Sequence, residues 1–515
     1  MKRIFFILFL WLLAGRCLDA QDVKKMRKEA DEQFSYENYH LSLPLYLSLL
    51  NYDSTDAILN YRTGVSLYHV SRDKVKAIQY FEKALPEVAD AYYYLGILYR
   101  RNGELNQSEE AFLKYKNSLK EKSFSYEQVE YQLKRTQTAR KYMKDGERTK
   151  LVLLDKNVNS KYPDYAPFIM PLDETLYFTS RRPGSSGNNK DPLGLYYEDI
   201  YYCKYEHKEY LPAENVGKPV NTLYHDACVG FSKDGKTMFI YRNESYTGGD
   251  IYTSEMVDDG MWSVPVKFSG RLNREGSVES SMTITQDGRT IYFSSNMPGG
   301  FGGKDIYRIV KLPNGEWSLP QNLGAAINSP YDDDAPFVSN DGSRLYFSSQ
   351  GHENMGGYDI FVTEKIDANT WSEPKNMGVP INSVADDIFF VTNAEETKGF
   401  FSSNRKGGYG DMDIYTVRMS DLTNKPIVLK GSVTTYEPEY KTLKAVITVI
   451  DYQTKEIQGV YRTTSNGKFI LALLPNKKYK MICESKGYHS TIEEIDLTHK
   501  IREQDLSKNI VLKIK

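Results

Sequence analysis

Histidine and cysteine, the side chains that most often build metal and nucleophilic centres, are scarce here: seven and four in 515 residues. The histidines (His40, His69, His207, His225, His352, His489 and His499) are scattered along the whole chain, and neither CxxC nor HExxH occurs, so no metal site and no cofactor is expected. Outside the first twenty residues the cysteines are Cys203, Cys228 and Cys483. An odd number argues against a disulfide framework and for small buried hydrophobes. A Gly-x-Ser-x-Gly elbow is also missing, which excludes a hydrolase of the prolyl-peptidase type and leaves catalysis without visible machinery. Charge of one sign is lacking as well: the net value is −2, or −4 without the +2 of residues 1–20, and nothing in it points to nucleic acid.

The one long apolar run is at the start. Lys2 and Arg3 precede Ile4 to Ala14, and Leu18-Asp19-Ala20 offers a small residue before Gln21. This pattern predicts a secretory signal over 1–20, cleaved after Ala20 and too short to cross a membrane as a helix. A lipoprotein form would use Cys17, but Arg16 stands where a small residue is expected.

What is abundant is repetition. Asp-Ile-Tyr or Asp-Ile-Phe recurs at Asp199, Asp250, Asp305, Asp359 and Asp413, with spacings of 51, 55, 54 and 54 residues. A period of that size marks a propeller or another repeat array. Each unit reads as four short strands, with a turn at Asp173-Glu174, Lys233-Asp234-Gly235, Gln286-Asp287-Gly288, Asn340-Asp341-Gly342 or, in degenerate form, Ala394-Glu395-Glu396. The last unit lacks its outer strand, whereas Leu151-Val152-Leu153-Leu154 followed by Val158-Asn159-Ser160 resembles that strand and its loop. Pairing it into the last unit would leave no open sheet edge, which predicts a five-bladed β-propeller over 147–421, with six blades as the alternative.

Residues 21–146 follow a helical period instead. Ala30, Gly64 and Gly96 lie 34 and 32 residues apart, and Ser42, Ala77 and Ser108 each precede an aromatic (Tyr46, Phe81, Phe112) by four residues. These steps predict three two-helix units of tetratricopeptide type, capped by a helix from Tyr126 to Met143. Tyr36, Tyr39, Tyr68 and Tyr99 are candidate partner contacts on the concave face, the alternative being that they only pack between helices. After Asn424-Lys425-Pro426, alternation through Val428–Val433, Ala445–Ile450, Lys468–Leu473 and Tyr479–Cys483, with a hairpin signal at Ser465-Asn466-Gly467-Lys468, predicts an all-β sandwich over 426–515.

Two constellations compete with these structural readings. Gly230 to Thr237 satisfies the Walker A expression, yet its Gly235 turn aligns with the blade turns at Gly288 and Gly342, so no phosphate loop is expected. Asp164, Asp226, Glu279, Asp334 and Asp387, with Asp333 and Asp386 beside the last two, share one register at the start of each unit. Near the axis they would hold a cation or a lysine-bearing peptide; the structural alternative is that each anchors a neighbouring loop.

The order of a helical stack, Asp-Ile-Tyr/Phe blades of the PD40 or WD40-like kind, and a C-terminal sandwich with Gly431-x-Val433 and Asn466-Gly467-x-Phe469 resembles the PorE-type envelope proteins of Bacteroidota, and the sandwich is similar to the carboxypeptidase regulatory-like domain. In that family an OmpA-like domain that grips peptidoglycan follows. Here Lys515 comes directly after the sandwich, so direct peptidoglycan binding is not expected. The resemblance implies an exported, periplasmic or outer-membrane-associated scaffold without enzymatic activity. Its partners would be envelope or secretion-system proteins, and it leaves a type IX secretion association open. The competing expectation is a sensor or carrier that takes a small ligand, glycan or cation at the propeller mouth.

Overall fold

The computed structural model describes residues 20–144, 150–245, 248–258, 260–367, 369–419, 427–436, 441–473, 477–498 and 506–515. The expected leader, Cys17 and the Asn424–Pro426 linker lie outside them. The chain divides into two compact units, 1–136 and 137–515. Among the described residues no helix is long and apolar enough to cross a membrane.

Among the described residues the N-terminal region has seven α-helices: α1 (Ala20–Ser35), α2 (Tyr39–Leu49), α3 (Ala57–Val70), α4 (Ile78–Ala84), α5 (Asp90–Arg101), α6 (Leu105–Asn117) and α7 (Tyr126–Lys144). The small residues spaced along the sequence sit where helices touch. A Cβ on Gly64 would meet Phe81 at 2.9 Å, and one on Gly96 would meet Phe112 at 2.6 Å, so α3 packs on α4, and α5 on α6, at a separation only glycine allows. Ala30 and Tyr46 are likewise fully buried between α1 and α2. Ser108 Oγ closes the third pair on the Gly96 carbonyl at 2.7 Å. The first turns of α7 cover the last pair, where the buried Arg100 guanidinium donates to Gln132 Oε1 at 2.6 Å and to the Gln132 carbonyl at 3.1 Å.

The second unit is almost all β. Five antiparallel sheets follow one another, and their first strands are Asp164–Ile169, His225–Phe231, Ser281–Ile284, Asp333–Val338 and Asp387–Thr392. Each first strand packs against the next, and the fifth returns to the first, so the cycle is closed. Residues from all five line one central channel. This is a β-propeller. The strand Leu151–Leu153, β1, completes the fifth sheet by pairing antiparallel with Asp413–Arg418, and Leu154 N adds a bond to the Ile414 carbonyl.

Two repeated devices explain why this period folds this way. Between the first and second strands the chain reverses through a left-handed residue. It is Gly235, Gly288 or Gly342 in three sheets, and Glu174 or Glu396, at φ 55° and 51°, in the two whose turns look degenerate in sequence. Between consecutive sheets one asparagine binds both backbone groups of the preceding Asp-Ile isoleucine. Asn221, Asn273, Asn328 and Asn382 do this in succession, and Asn159 does it across the closure, taking Ile414 N at 2.7 Å and donating to its carbonyl at 3.0 Å.

The last ninety residues form two four-stranded sheets that share a core including Val433, Ile447, Leu471, Met481 and Cys483. The expected hairpin at Ser465–Lys468 is corrected. Its tight turn exists, with Gly467 N bonded to the Thr464 carbonyl, but Ile457–Arg462 and Lys468–Leu473 belong to different sheets. Both flanking strands carry apolar faces, and a corner between sheets buries both faces in one core. Cys203, Cys228 and Cys483 are buried free thiols, each pushed up to about 12 by desolvation.

Candidate site at the propeller mouth

The five carboxylates singled out by their register are buried, and none of them lines the channel. Asp164 accepts from Ser160 N and Ser180 Oγ and pairs with Arg182 at 2.6 Å. Asp226 takes Thr222 N and pairs with Arg242, also at 2.6 Å. Asp387 takes Ser383 N and pairs with Arg405. Glu279 spans the same gap with one more methylene, accepting from Ser277 and Ser295. In the fourth sheet the equivalent residue is Asp333, which faces Ser349 as Asp164 faces Ser180; Asp334 lies one place on. A fivefold ring of carboxylates at the axis is therefore corrected to five loop anchors inside the sheets, because each buried oxygen needs donors and the preceding loop supplies them.

Asp333 bears a testable consequence. Burial pushes its carboxyl up to about 7, against the bonds from Ser349 and Ser329 that lower it. A carboxyl whose folded value is raised contributes most below its unfolded value near 4, and loses that contribution as pH climbs through 7. Asp333→Asn should therefore gain on the native chain by about 2 kcal/mol between pH 5 and pH 8, as read by chemical denaturation at both values. His69 and His352, which burial lowers, act in the opposite sense but stay in both proteins. A gap independent of pH would contradict this.

The five sheets serve as an internal alignment. Positions that build the ring repeat: aspartate and isoleucine of Asp-Ile, the bridging asparagine, the anchoring carboxylate. Three positions at the mouth beside the first strands' starts do not. Before the Asp-Ile pair stand Glu198, Gly249, Lys304, Tyr358 and Met412; after the anchoring carboxylate, Tyr165, Ala227, Ser280, Asp334 and Ile388; before it, Pro163, His225, Val278, Asp332 and Asp386. These divergent side chains meet across sheets. Glu198 accepts from Tyr165 OH at 2.7 Å and pairs with His225, whose ring stacks on Tyr197 at 4.0 Å. Lys304 Nζ reaches Asp334 at 2.8 Å and Ser280 Oγ at 3.0 Å, and Tyr358 OH reaches Asp332 at 3.1 Å. Tyr165 also stacks on Phe389, a channel residue in the left-handed region at φ 61°.

The electrostatics hold Glu198, Asp334 and Lys304 charged. Burial raises Glu198, but the His225 and Tyr165 contacts outweigh it and keep the carboxyl below its ordinary value. Burial likewise opposes both partners of the Lys304–Asp334 pair, yet their mutual attraction leaves Asp334 lowered and Lys304 raised. Below this rim the throat is apolar and narrow: Ala166, Pro167, Val229, Met282, Pro336 and Phe389 are among the residues around a cavity of about 40 Å³.

No protein-family model matches the chain, and no curated protein does. Among solved structures it is similar to TolB from Acinetobacter baumannii, at 16% identity and a TM-score of 0.30 over 52% of this chain and 56% of that one, little more than half its length. It is also similar to the endo-arabinase from Bacteroides thetaiotaomicron VPI-5482, at 14% identity and a TM-score of 0.35 over 53% and 99% of the two chains. The periplasmic gluconolactonase of Pseudomonas aeruginosa matches at 11% identity and a TM-score of 0.30 over 67% and 98%. At these values none of the three bears on the chemistry of this chain.

The other sequence candidates fall apart in space. Tyr36 is exposed, whereas Tyr39 stacks on His69 at 4.3 Å, Tyr68 meets Tyr94 edge-on, and Tyr99 OH donates to Glu82 at 2.9 Å. Gly230 to Thr237 joins two strands of the second sheet with no helix after it, so the Walker A match is a coincidence of spacing. The mouth cluster itself went unnoticed in the sequence, although the signal was available: it lies where aligned repeats disagree.

Proposed function

We propose that the chain is a non-enzymatic envelope scaffold or adaptor, with a TPR-like stack over 21–146, five blades over 147–421 and a carboxypeptidase regulatory-like sandwich over 426–515. On this reading it is exported, works in the periplasm at the outer membrane, and binds envelope or secretion-system proteins. The observation that carries the proposal is the divergence at the propeller mouth. A ring that needed only to fold could repeat every position, whereas the positions that vary bring charged side chains, Glu198, Lys304, Asp332, Asp334 and Asp386 among them, together at one end of the axis. An asymmetric rim above a shut throat suits a protein surface better than a small molecule: ligand pockets typically offer about 300–1,000 Å³, far more than the throat holds.

The same geometry speaks against catalysis at the mouth. A general acid needs a raised carboxyl near working pH, whereas Glu198 and Asp334 are both pinned low by their partners. The carboxyls raised furthest, Asp333 at about 7 and Asp199 and Asp413 at about 6, lie inside the sheets as acceptors of loop amides. The runner-up reading, a small-ligand carrier, would have room in the cleft of about 690 Å³ between the first two sheets and the C-terminal module, lined by Tyr202, Tyr205, Met261 and Asn466.

Crosslinking capture from envelope extracts tests the proposal. Lys304→Gln combined with Glu198→Gln should cut capture of the main crosslinked partner about tenfold, the loss of two desolvated charge contacts, with the far-ultraviolet spectrum unchanged. Capture equal to that of the native protein would remove the mouth from the binding surface.

A further inference from the structure

The C-terminal module covers the end of the propeller channel opposite the mouth. Arg462 reaches Asp234 at 2.8 Å, Glu255 at 3.0 Å and Thr237 at 2.9 Å, and Val460 N bonds the Gln286 carbonyl at 3.1 Å. Beneath the module a cavity of about 30 Å³ remains, bounded by Phe168, Phe337 and Pro171 from the ring, by Tyr461, Ile470 and Ala472 from the module, and by the polar side chains of Lys233, Gln286, Asn340 and Thr392. That volume holds one occupant of about the size of a water molecule.

The cavity's polar lining is rich in donors. Lys233 Nζ gives one hydrogen to the Val338 carbonyl at 2.5 Å and lies 3.8 Å from the centre of the Phe337 ring. Gln286 Nε2 and Thr392 Oγ1 are buried without a hydrogen-bond partner, in side chains only 7% exposed. No carboxylate lines the space. Asp234 is turned to Arg462; Asp341 binds within its own turn to Ser339 and Ser343; Asp287 does the same with Thr285; Glu396 pairs with Arg344 at 2.8 Å. The module residues that line the space, Tyr461, Ile470 and Ala472, are uncharged, and Arg462 on the same strand is turned to Asp234 and Glu255.

We propose that this cavity is a binding site for one monatomic anion, chloride in the cell, held by Lys233, Gln286 and Thr392. A half-buried ammonium and an unpaired buried amide ask for an acceptor, and a water molecule would bring two more donors into a space already rich in them. A single small anion accepts from all three groups.

Burial lowers Lys233 to about 7, against the fields of Glu396 and Asp341, so the amine is charged below that value and neutral above it. Anion binding therefore favours the low side.

The test is thermal unfolding of the full-length protein at pH 6 in about 150 mM sodium chloride, sodium bromide or sodium gluconate. Chloride and bromide should raise the midpoint by about 4 °C over gluconate, saturably, and the difference should shrink at pH 8.5. Lys233→Met should abolish it. Crystals grown in bromide should show an anomalous peak in the cavity, a readout that needs no variant to fold. Equal midpoints in the three salts, or a bromide crystal with no anomalous signal at the site, would overturn the proposal.

Discussion

Val152→Pro should lower the melting temperature of the propeller by about 8 °C and promote aggregation, while Val152→Thr leaves both unchanged. β1 lies at the outer edge of the fifth sheet, a place where proline is often tolerated because the amide can face solvent. Here the parity forbids it. Leu154 N donates to the Ile414 carbonyl, and Val152, two residues away and opposite Thr416, presents its own amide to the same neighbour. The proline therefore removes an inward bond and sets a ring against the partner strand, at a cost of about 3 kcal/mol. The Val152 side chain is 41% exposed, so threonine changes little. Each kcal/mol is worth about 2–4 °C in a domain of this size. Circular dichroism melts of the three proteins decide the matter, and an unperturbed proline variant would show that the ring is closed by other contacts.

Arg242→Met should be at least as damaging, at about 3–5 kcal/mol, because it leaves Asp226 a buried charge without its counter-charge. The pair is enclosed, with side chains 7% and 0% exposed, and Arg242 also donates to the Val220 carbonyl at 2.7 Å. Adding Asp226→Asn to that variant should restore about half the loss in urea unfolding, since a neutral amide no longer demands a counter-charge while still accepting from Thr222 N. If the two changes simply add, the arginine acts through packing, and the charge pair is incidental.

These pairs show what the repeat pattern conveys and what it conceals. Asp164, Asp226 and Asp387 recur visibly, but only two of their arginines share a place. Arg182 and Arg405 come two residues after the strand-end serine, whereas Arg242 replaces that serine outright. Two solutions to one buried charge look unrelated along the chain, which is why the sequence leaves both an acidic ring and loop anchors open. Tyr39, Tyr68 and Tyr99 are half-buried, and helical spacing places each on a face without naming the side chain it meets, His69, Tyr94 or Glu82.

Period, strand alternation and turn residues determined by themselves that a helical region precedes a cyclic array of sheets, and that Leu151–Leu153 pairs with its last member. Such features depend on interactions that recur with the repeat, so each copy reports on the others. The tertiary structure alone decided that the C-terminal module shuts one end of the channel, that Lys233 lies beneath it, and that the divergent residues collect at the other end. Those outcomes rest on single contacts between distant segments, such as Arg462 on Asp234 across 228 residues. A contact made once leaves no period, and shape complementarity between two folded surfaces exists only after both have folded.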